Sequence, residues 1–415
     1  VADTLLLDQT EKIAKFVRIM ERELNRRKKL LSDYGVGTLE LYRQASGQEE
    51  PAIVILLDSY ESMKEEAYEA ELFKLLVRIS REGLSIGVHL LVTAGRQSNL
   101  RAQFYANFKH QLSLPQNDVG EVRSIVGSTP LAATMEDIKG RALMKRDEVD
   151  VIQLALPVAG ANDAQVLNNL RQEVASLQEA WTGQRPSAIP MVPEELTEAD
   201  FYSRASVQAA YEQGLVPLGL DMETVEPITW NLSKGNLLYL TDKEEQMSAL
   251  TEQIARGKQK VIVLAPKYHN LPEMEGILLA SGEEVSDLIY DVKNRIQTRI
   301  EERRVQHEAT LVVYNMVELV NELSNSALDS LAFVLDKGLR GGYASIVMTG
   351  PTLNRQIDIA SKVAKGFKQG LFAIRISDQS LLNITNKPLR EGQLERQIHY
   401  YVVDGLGSRV KVVIR

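Results

Sequence analysis

The chain has 415 residues, of which 44% are hydrophobic and 25% charged, with no cysteine and a formal charge of −8 from 48 basic and 56 acidic side chains. At about one domain per 150 residues this length holds two or three domains, each with room for a core, which excludes general disorder. Disulfides, thiolate metal sites and a cysteine nucleophile are excluded, no window approaches the roughly 18 consecutive apolar residues of a membrane span, and the negative balance opposes broad contact with nucleic-acid phosphates. A chain without cysteine fits a reducing compartment, so a cytosolic setting is expected.

Val1 to Leu7 has no basic start, no apolar stretch of signal-peptide length and no initiator Met, so the chain is expected to begin inside a larger protein. Asp8 and Glu11 read as a capping box, and Ile13, Phe16, Val17, Met20 and Leu24 follow at helical spacing. The polar face of this helix ends in Arg26, Arg27, Lys28 and Lys29, read as favourable contact with the helix dipole rather than a nucleic-acid patch. Ile53 to Leu57 is an unbroken apolar run ending in Asp58, the pattern of a buried parallel strand whose last residue emerges at the carboxyl edge of a sheet. Helical spacing through Phe73, Leu76 and Ile79 leads to a turn between Gly83 and Gly87 and a second buried strand, Val88 to Thr93. Strand, helix, strand implies a right-handed crossover and α/β architecture. Gln165 to Trp181 reads as a helix, and Arg185 to Glu195, with three prolines, marks a linker placed over 184–206. Beyond it come strands at Ile228 to Leu232 and Asn236 to Leu240, a helix from about Asp242, and a strand from Lys260 to Ala265. Gln397 to Val403 and Arg409 to Ile414 flank a turn over 404–408 and read as a hairpin.

Part of this pattern occurs twice. Gly83, Leu84, Gly87, Val92 and Gly95 recur 255 positions later as Gly338, Leu339, Gly342, Val347 and Gly350. At a separation of 257, Asp58 falls on Asn315 and Glu61 on Glu318; the opening helix also shares its internal spacing with Val285, Leu288, Ile289, Val292 and Ile296. The second copy reads as a whole domain over 207–415. The first, over 1–183, reads as the same domain without its front half.

A strand-terminal Asp in a doubly wound sheet is the Walker B position of nucleotide-hydrolysing proteins, where it helps to hold magnesium beside a glutamate. Here the neighbour of Asp58 is Ser59, and Asn315 in the second copy has no charge to offer a cation. The phosphate-cradling sequence G-x-x-x-x-G-K-[ST] does not occur, and its place after Leu240 reads Thr241, Asp242, Lys243, Glu244, Glu245. Three carboxylates at the start of that helix are expected to satisfy its amides and repel an anion. Gly83 to Gly87 matches G-x-S-x-G but lies between a helix and a strand, the wrong context for a nucleophile elbow. The five histidines show no metal-ligand spacing. Arg96 and Arg101 could act as trans arginines on a neighbouring nucleotide, although solvated loop residues are the plainer reading.

These residues resemble the FtsK/SpoIIIE-type motor ATPases, specifically the EssC/YukB/EccC-like ATPases of type VII secretion systems. The resemblance rests on Arg26, Arg27, Leu30 and Leu31 followed by Asp33, Tyr34, Gly35 and Tyr42, on Asp58-Ser59-Tyr60-Glu61, and on Gly87-Val88-His89-Leu90. It also rests on Pro186, Ile189, Pro190 and Pro193 and on Val216 to Asp221, similar to the opening segment of the last ATPase module. The resemblance implies a RecA-like P-loop NTPase fold with a doubly wound, mostly parallel sheet: one truncated copy, the back of a second module, plus one complete degenerate third copy. It implies a place on the cytoplasmic side of the bacterial membrane, reached through N-terminal segments not in this sequence. Implied partners are WXG-type secretion substrates and neighbouring ATPase modules, in a possible ring, with no nucleic acid. No cofactor or metal is expected within this stretch, whereas ATP and magnesium belong to the longer parent. The expected nucleotide-site remnants are Asp58, Asn315 and the turn Thr241, Asp242, Lys243, with Gly350 beside them. They are expected to serve docking and assembly rather than catalysis. The competing expectation is a working ATPase once an upstream P-loop joins Asp58.

Overall fold

The computed structural model describes residues 3–257, 259–272, 274, 276–386 and 391–413. Two compact units divide at Ile189/Pro190. That boundary lies inside the stretch read as a linker, and the later part of the stretch is built into the second unit. Helix Glu198–Tyr202 buries Phe201 completely, together with Leu196, against Val207, Leu220 and Val413.

In the first unit, β1 (Ile53–Leu57) pairs in parallel with β2 (Val88–Val92), and β3 (Gln111–Ser113), β4 (Arg141–Lys145) and β5 (Val149–Gln153) form a separate antiparallel sheet. Helices Thr10–Asp33 and Glu69–Glu82 cover one face of the β1–β2 pair, because their apolar stripes (Val17, Met20 and Leu24; Leu72, Leu75, Leu76 and Ile79) meet there. The first helix starts at Thr10 with Gln9 as its cap and no side-chain cap bond, so the capping box of Asp8 and Glu11 does not form. Asp8 sits in the preceding turn, where Gln9 N–H donates to the Leu6 carbonyl.

The second unit contains β6 (Leu215–Asp221), β7 (Pro227–Asn231), β8 (Leu237–Leu240), β9 (Val261–Ala265), β10 (Ile277–Ser281), β11 (Ala309–Val313), β12 (Tyr343–Thr349), β13 (Gln369–Phe372), β14 (Ile398–Val403) and β15 (Leu406–Lys411). They form one sheet in the order β10-β9-β11-β12-β8-β13-β14-β15-β6-β7. It is parallel from β10 to β13 and antiparallel beyond. Chain order reverses across β8, whose neighbours are β12 and β13. This is the doubly wound, RecA-like sheet, and its reversal point is where such sheets place ligands. One face carries helices Glu284–Glu301 and Asn325–Lys337, the other helix Glu244–Ala255. The hairpin turn is shorter than the sequence suggested: Asp404 and Gly405 both have positive φ, 50° and 78°, and β15 starts at once at Leu406. Two left-handed residues make a type I′ turn, which matches strand twist. Ile414 lies outside the described residues.

The two units share more than a glycine pattern. Helix Thr10–Asp33 corresponds to Glu284–Glu301, β1–β2 to β11–β12, and β3-β4-β5 to β13-β14-β15 with the same antiparallel pairings. Gly87 and Gly342 both take left-handed φ, 73° and 82°. A Cβ on Gly87 would collide with Leu39 Cδ2 and one on Gly342 with the Gln306 carbonyl, and each would also crowd a helix arginine, Arg27 Nη1 at 3.3 Å and Arg299 Nη2 at 3.2 Å. Those arginines form a repeated staple. Arg27 donates to the carbonyls of Ile86 (2.9 Å) and Pro51 (2.7 Å), and Arg299 to those of Gly341 (2.6 Å) and Gln306 (2.8 Å). The basic run at the end of the first helix therefore does not serve the dipole. The helix continues to Asp33 with no basic residue in its last turn, and Arg26 and Arg27 instead pair with Glu23 and Glu50.

Candidate functional site

In the second unit, β8 delivers Thr241 and Asp242 to the carboxyl edge, β12 delivers Thr349 and Gly350, and β13 delivers Ala373 to Arg375. A cleft of about 500 Å³ opens there, lined by Asp242, Ala373, Ile374, Arg375, Asp378, Gln393 and Leu394. Arg375 is engaged with Asp378 through Nε–Oδ2 (2.8 Å) and Nη2–Oδ1 (3.1 Å), so the cleft's guanidinium is already paired. Sequence reasoning did not find this pair, because nothing near residue 375 marks it as adjacent to residue 242.

The turn after β8 is tight. Thr241 is fully buried, its N–H donates to the Thr349 carbonyl (2.9 Å), and its hydroxyl donates to Gln246 and accepts from Lys243 N–H (3.2 Å). Helix Glu244–Ala255 follows with Lys243 as cap and no side-chain cap bond. The expected capping by three carboxylates therefore does not form: Asp242 precedes the cap and is exposed in the cleft, Glu244 accepts from the Asn270 amide, and Glu245 lies 3.6 Å from Arg396. Lys243 is exposed. The phosphate cradle of a P-loop needs glycine-permitted backbone wrapping an anion. Here the turn holds no glycine, and the Thr241 hydroxyl takes up the Lys243 N–H.

The strand-end acid position needs a correction. Ile53 stands opposite Val88 and Ala309 opposite Tyr343, and the residue in left-handed conformation after each strand is Ser59 (φ 54°) and Asn315 (φ 45°). The separation along β1 and β11 is thus 256, not 257. Asn315 answers Ser59, and the counterpart of Asp58 is Tyr314. Tyr314 is fully buried, packs with Val312, Met348 and Met247, and donates its hydroxyl to the backbone carbonyl of Glu244 at 3.2 Å. Burial, with the Glu244 and Glu318 carboxylates nearby, pushes its phenol up to about 12, so it remains a neutral donor. Asn315 is half-buried, makes no side-chain cap bond and does not line the cleft.

In the first unit, Asp58 ends β1 exposed, and Oδ1 accepts from the Thr93 hydroxyl at 2.6 Å, while Thr93 Oγ1 accepts from Ser59 N–H at 2.8 Å. Glu61 accepts from Gly95 N–H (2.9 Å). The Asp58 carboxylate is thus oriented from the end of the neighbouring strand, a partnership with no sequence signal because it spans 35 residues. Arg101 pairs with Glu69 and lies over the Phe73 ring at 4.2 Å, and Arg96 pairs with Glu121 at 3.4 Å, which gives both arginines structural partners. Among the described residues no group of three or more His, Cys, Asp or Glu is placed to hold a metal ion, and no helix is long and apolar enough to cross a membrane.

No family model matches the chain. Type VII secretion system protein EssC of Staphylococcus aureus is 23% identical over 423 residues, covering 100% of this chain and 28% of its own length. The solved structure of EssC ATPases 2 and 3 from Geobacillus thermodenitrificans superimposes with a TM-score of 0.89 at 25% identity, over 100% of this chain and 81% of that one. The chain is similar to the EssC/EccC ATPases of type VII secretion systems. Within them it matches the region of the second and third ATPases, and it spans little more than a quarter of the length of the curated relative. The fold is also shared with Thermomonospora curvata EccC ATPases 2 and 3, solved in complex with a signal sequence peptide, at 18% identity and a TM-score of 0.51 over 98% of this chain and 77% of that one.

Proposed function

We propose that this chain forms part of the cytoplasmic portion of the membrane-bound ATPase of a type VII secretion system, and that its second unit binds WXG-type substrate helices and neighbouring modules rather than turning over ATP. The observation that carries this reading is Tyr314. A buried phenol fills the strand-end position where a carboxylate would meet magnesium, and it is bonded to the first residue of the helix that would meet the phosphates. The self-satisfied turn Thr241 to Lys243 and the acidic first helical turn, Glu244 and Glu245, act in the same direction. The signal-peptide complex of Thermomonospora curvata EccC supports a peptide-binding role for such modules. Titrating a synthetic WXG-type signal helix into the whole chain is expected to give saturable heat with micromolar affinity, about −8 kcal/mol. No heat at about 100 μM protein contradicts the reading, because it bounds the affinity below about −5.5 kcal/mol.

A second reading is favoured by Asp58, which keeps both its charge and an orienting hydrogen bond from Thr93. In a longer polypeptide whose upstream residues bring a P-loop, Asp58 would complete a working ATP site in the first unit, with ATP and magnesium as its cofactors. Hydrolysis by that polypeptide, lost on Asp58→Asn, supports this reading.

A further inference from the structure

The helix read from Gln165 to Trp181 forms as Asp163–Ala180, and its start is well built. Asn162 Oδ1 accepts from Gln165 N–H (2.9 Å), and Gln165 Oε1 accepts from Ala161 N–H (2.8 Å). None of its residues is buried, whereas the five other described helices of twelve or more residues bury between four and seven each. Leu167, Val174, Leu177 and Trp181 are 48%, 45%, 61% and 59% exposed, and Leu170 is half-buried. Along the chain these five follow one another in steps of three, four, three and four. That is a heptad seam, with Leu167, Val174 and Trp181 at its a positions and Leu170 and Leu177 at its d positions. So narrow a stripe fits one partner helix rather than a sheet. A lipid surface fits poorly, because helices that lie on membranes carry Lys and Arg on the polar side, and here Arg171 is outnumbered by Asp163, Glu173 and Glu179.

We propose that this seam pairs with the same seam of a second copy of the chain, parallel and in register. Self-pairing sets Leu on Leu, Val on Val and Trp on Trp, and a β-branched Val at a with Leu at d favours two strands. The flanking charges choose the direction. Parallel pairing sets Glu173 beside Gln178 of the second copy and Arg171 beside its Val166, with no like charges facing. Antiparallel pairing, with Leu167 opposite Leu177 and Leu170 opposite Val174, sets Arg171 against Arg171 and Glu173 against Glu173. A seam of about two and a half heptads is short, so the dimer is weak and depends on concentration. It needs neither nucleotide nor secretion substrate, and it stands apart from the function proposed for the second unit.

The chain has no cysteine, so single thiols report on the seam without background. In a parallel pair positions 167 and 177 each face themselves. In an antiparallel pair each faces the other, about 15 Å along the axis from its own copy. Leu167→Cys, Leu177→Cys and, as a control on the outer side of the helix, Gln172→Cys are made in the whole chain. Under mild oxidation at about 100 μM protein, the 167 and 177 variants are each expected to form a covalent dimer at least about tenfold faster than the control. Sedimentation equilibrium of the unaltered chain is expected to show a reversible dimer at that concentration. Val174→Lys with Leu177→Lys places like charges in two layers and is expected to weaken the dimer at least about tenfold, while the unfolding midpoint moves by less than about 2 °C. Cross-linking only in a mixture of the 167 and 177 variants overturns the parallel register. A monomeric chain with cross-linking no faster than at position 172 overturns the pairing itself, and so does a dimer that the two lysines leave unchanged.

Discussion

Replacing Tyr314 by alanine is expected to destabilise the second unit by about 3–5 kcal/mol, the range for removing a large aromatic from a closed core. The side chain has no exposed surface and stands between strand and helix, touching the cluster that includes Met247, Val312 and Met348, so little can collapse into the space it vacates. Tyr314→Phe separates packing from hydrogen bonding: only the bond to the Glu244 carbonyl is lost, and a cost of about 1 kcal/mol is expected. Tyr314→Asp restores the acid of a Walker B strand but places it in apolar surroundings, beside a turn in which the Thr241 hydroxyl and the Thr241 and Lys243 amides are already bonded. ATP turnover should not appear. The check is urea unfolding of each variant, following the transition of the second unit. An alanine variant as stable as the parent removes Tyr314 from the account.

Arg27→Met carries the largest effect expected in the first unit, about 3–5 kcal/mol, because the change leaves buried hydrogen-bonding groups without partners. Arg27 is 1% exposed, and its guanidinium serves Ile86, Pro51, Glu23 and Glu50, groups 4 to 59 positions away in sequence. Lysine should recover only part of the loss, since a point charge cannot reproduce the planar fork. The same network ties stability to pH. Hydrogen bonding from Arg26, assisted by Arg27, holds the Glu23 carboxyl at about 2 from an ordinary 4.5, against the opposing effect of its partial burial. A folded-state value below the unfolded one stabilises fully above about pH 4.5 and is lost as pH falls towards 2. Arg299, with 14% of its side chain exposed, should cost less, about 2 kcal/mol on change to methionine. Thermal unfolding of the three variants tests the order.

Much of this architecture is legible in the residues. The unbroken apolar run at Val261–Ala265 and the helical stripe through Ile13, Val17, Met20 and Leu24 are patterns fixed by burial, whereas β1 and β2, expected from their apolar runs to be buried strands, leave Val54, Leu56 and Leu91 exposed. The repeated glycines mark real constraints, since Gly83 and Gly338 each bring a would-be Cβ against the carbonyl five residues ahead, Val88 and Tyr343. The single-residue slip at Asn315 arose because two polar residues near strand ends look alike in sequence, while the left-handed backbone at Ser59 and Asn315 identifies the true pair. Arg27 was hidden for a related reason. A buried arginine on a helix's polar side has the same sequence signature as a solvated one, and its acceptors are backbone carbonyls, which carry no side-chain code. Tyr314 has the sequence signature of one more apolar residue at the end of a strand, although its hydroxyl reaches an element 70 positions earlier.

On the proposed reading, neither unit of this chain seats a triphosphate. Isothermal titration of ATP with magnesium into the whole chain addresses it most directly. No saturable heat is expected up to about 1 mM nucleotide, a bound of about −4 kcal/mol. Saturable micromolar binding that weakens when Thr241 or Lys243 is replaced contradicts it.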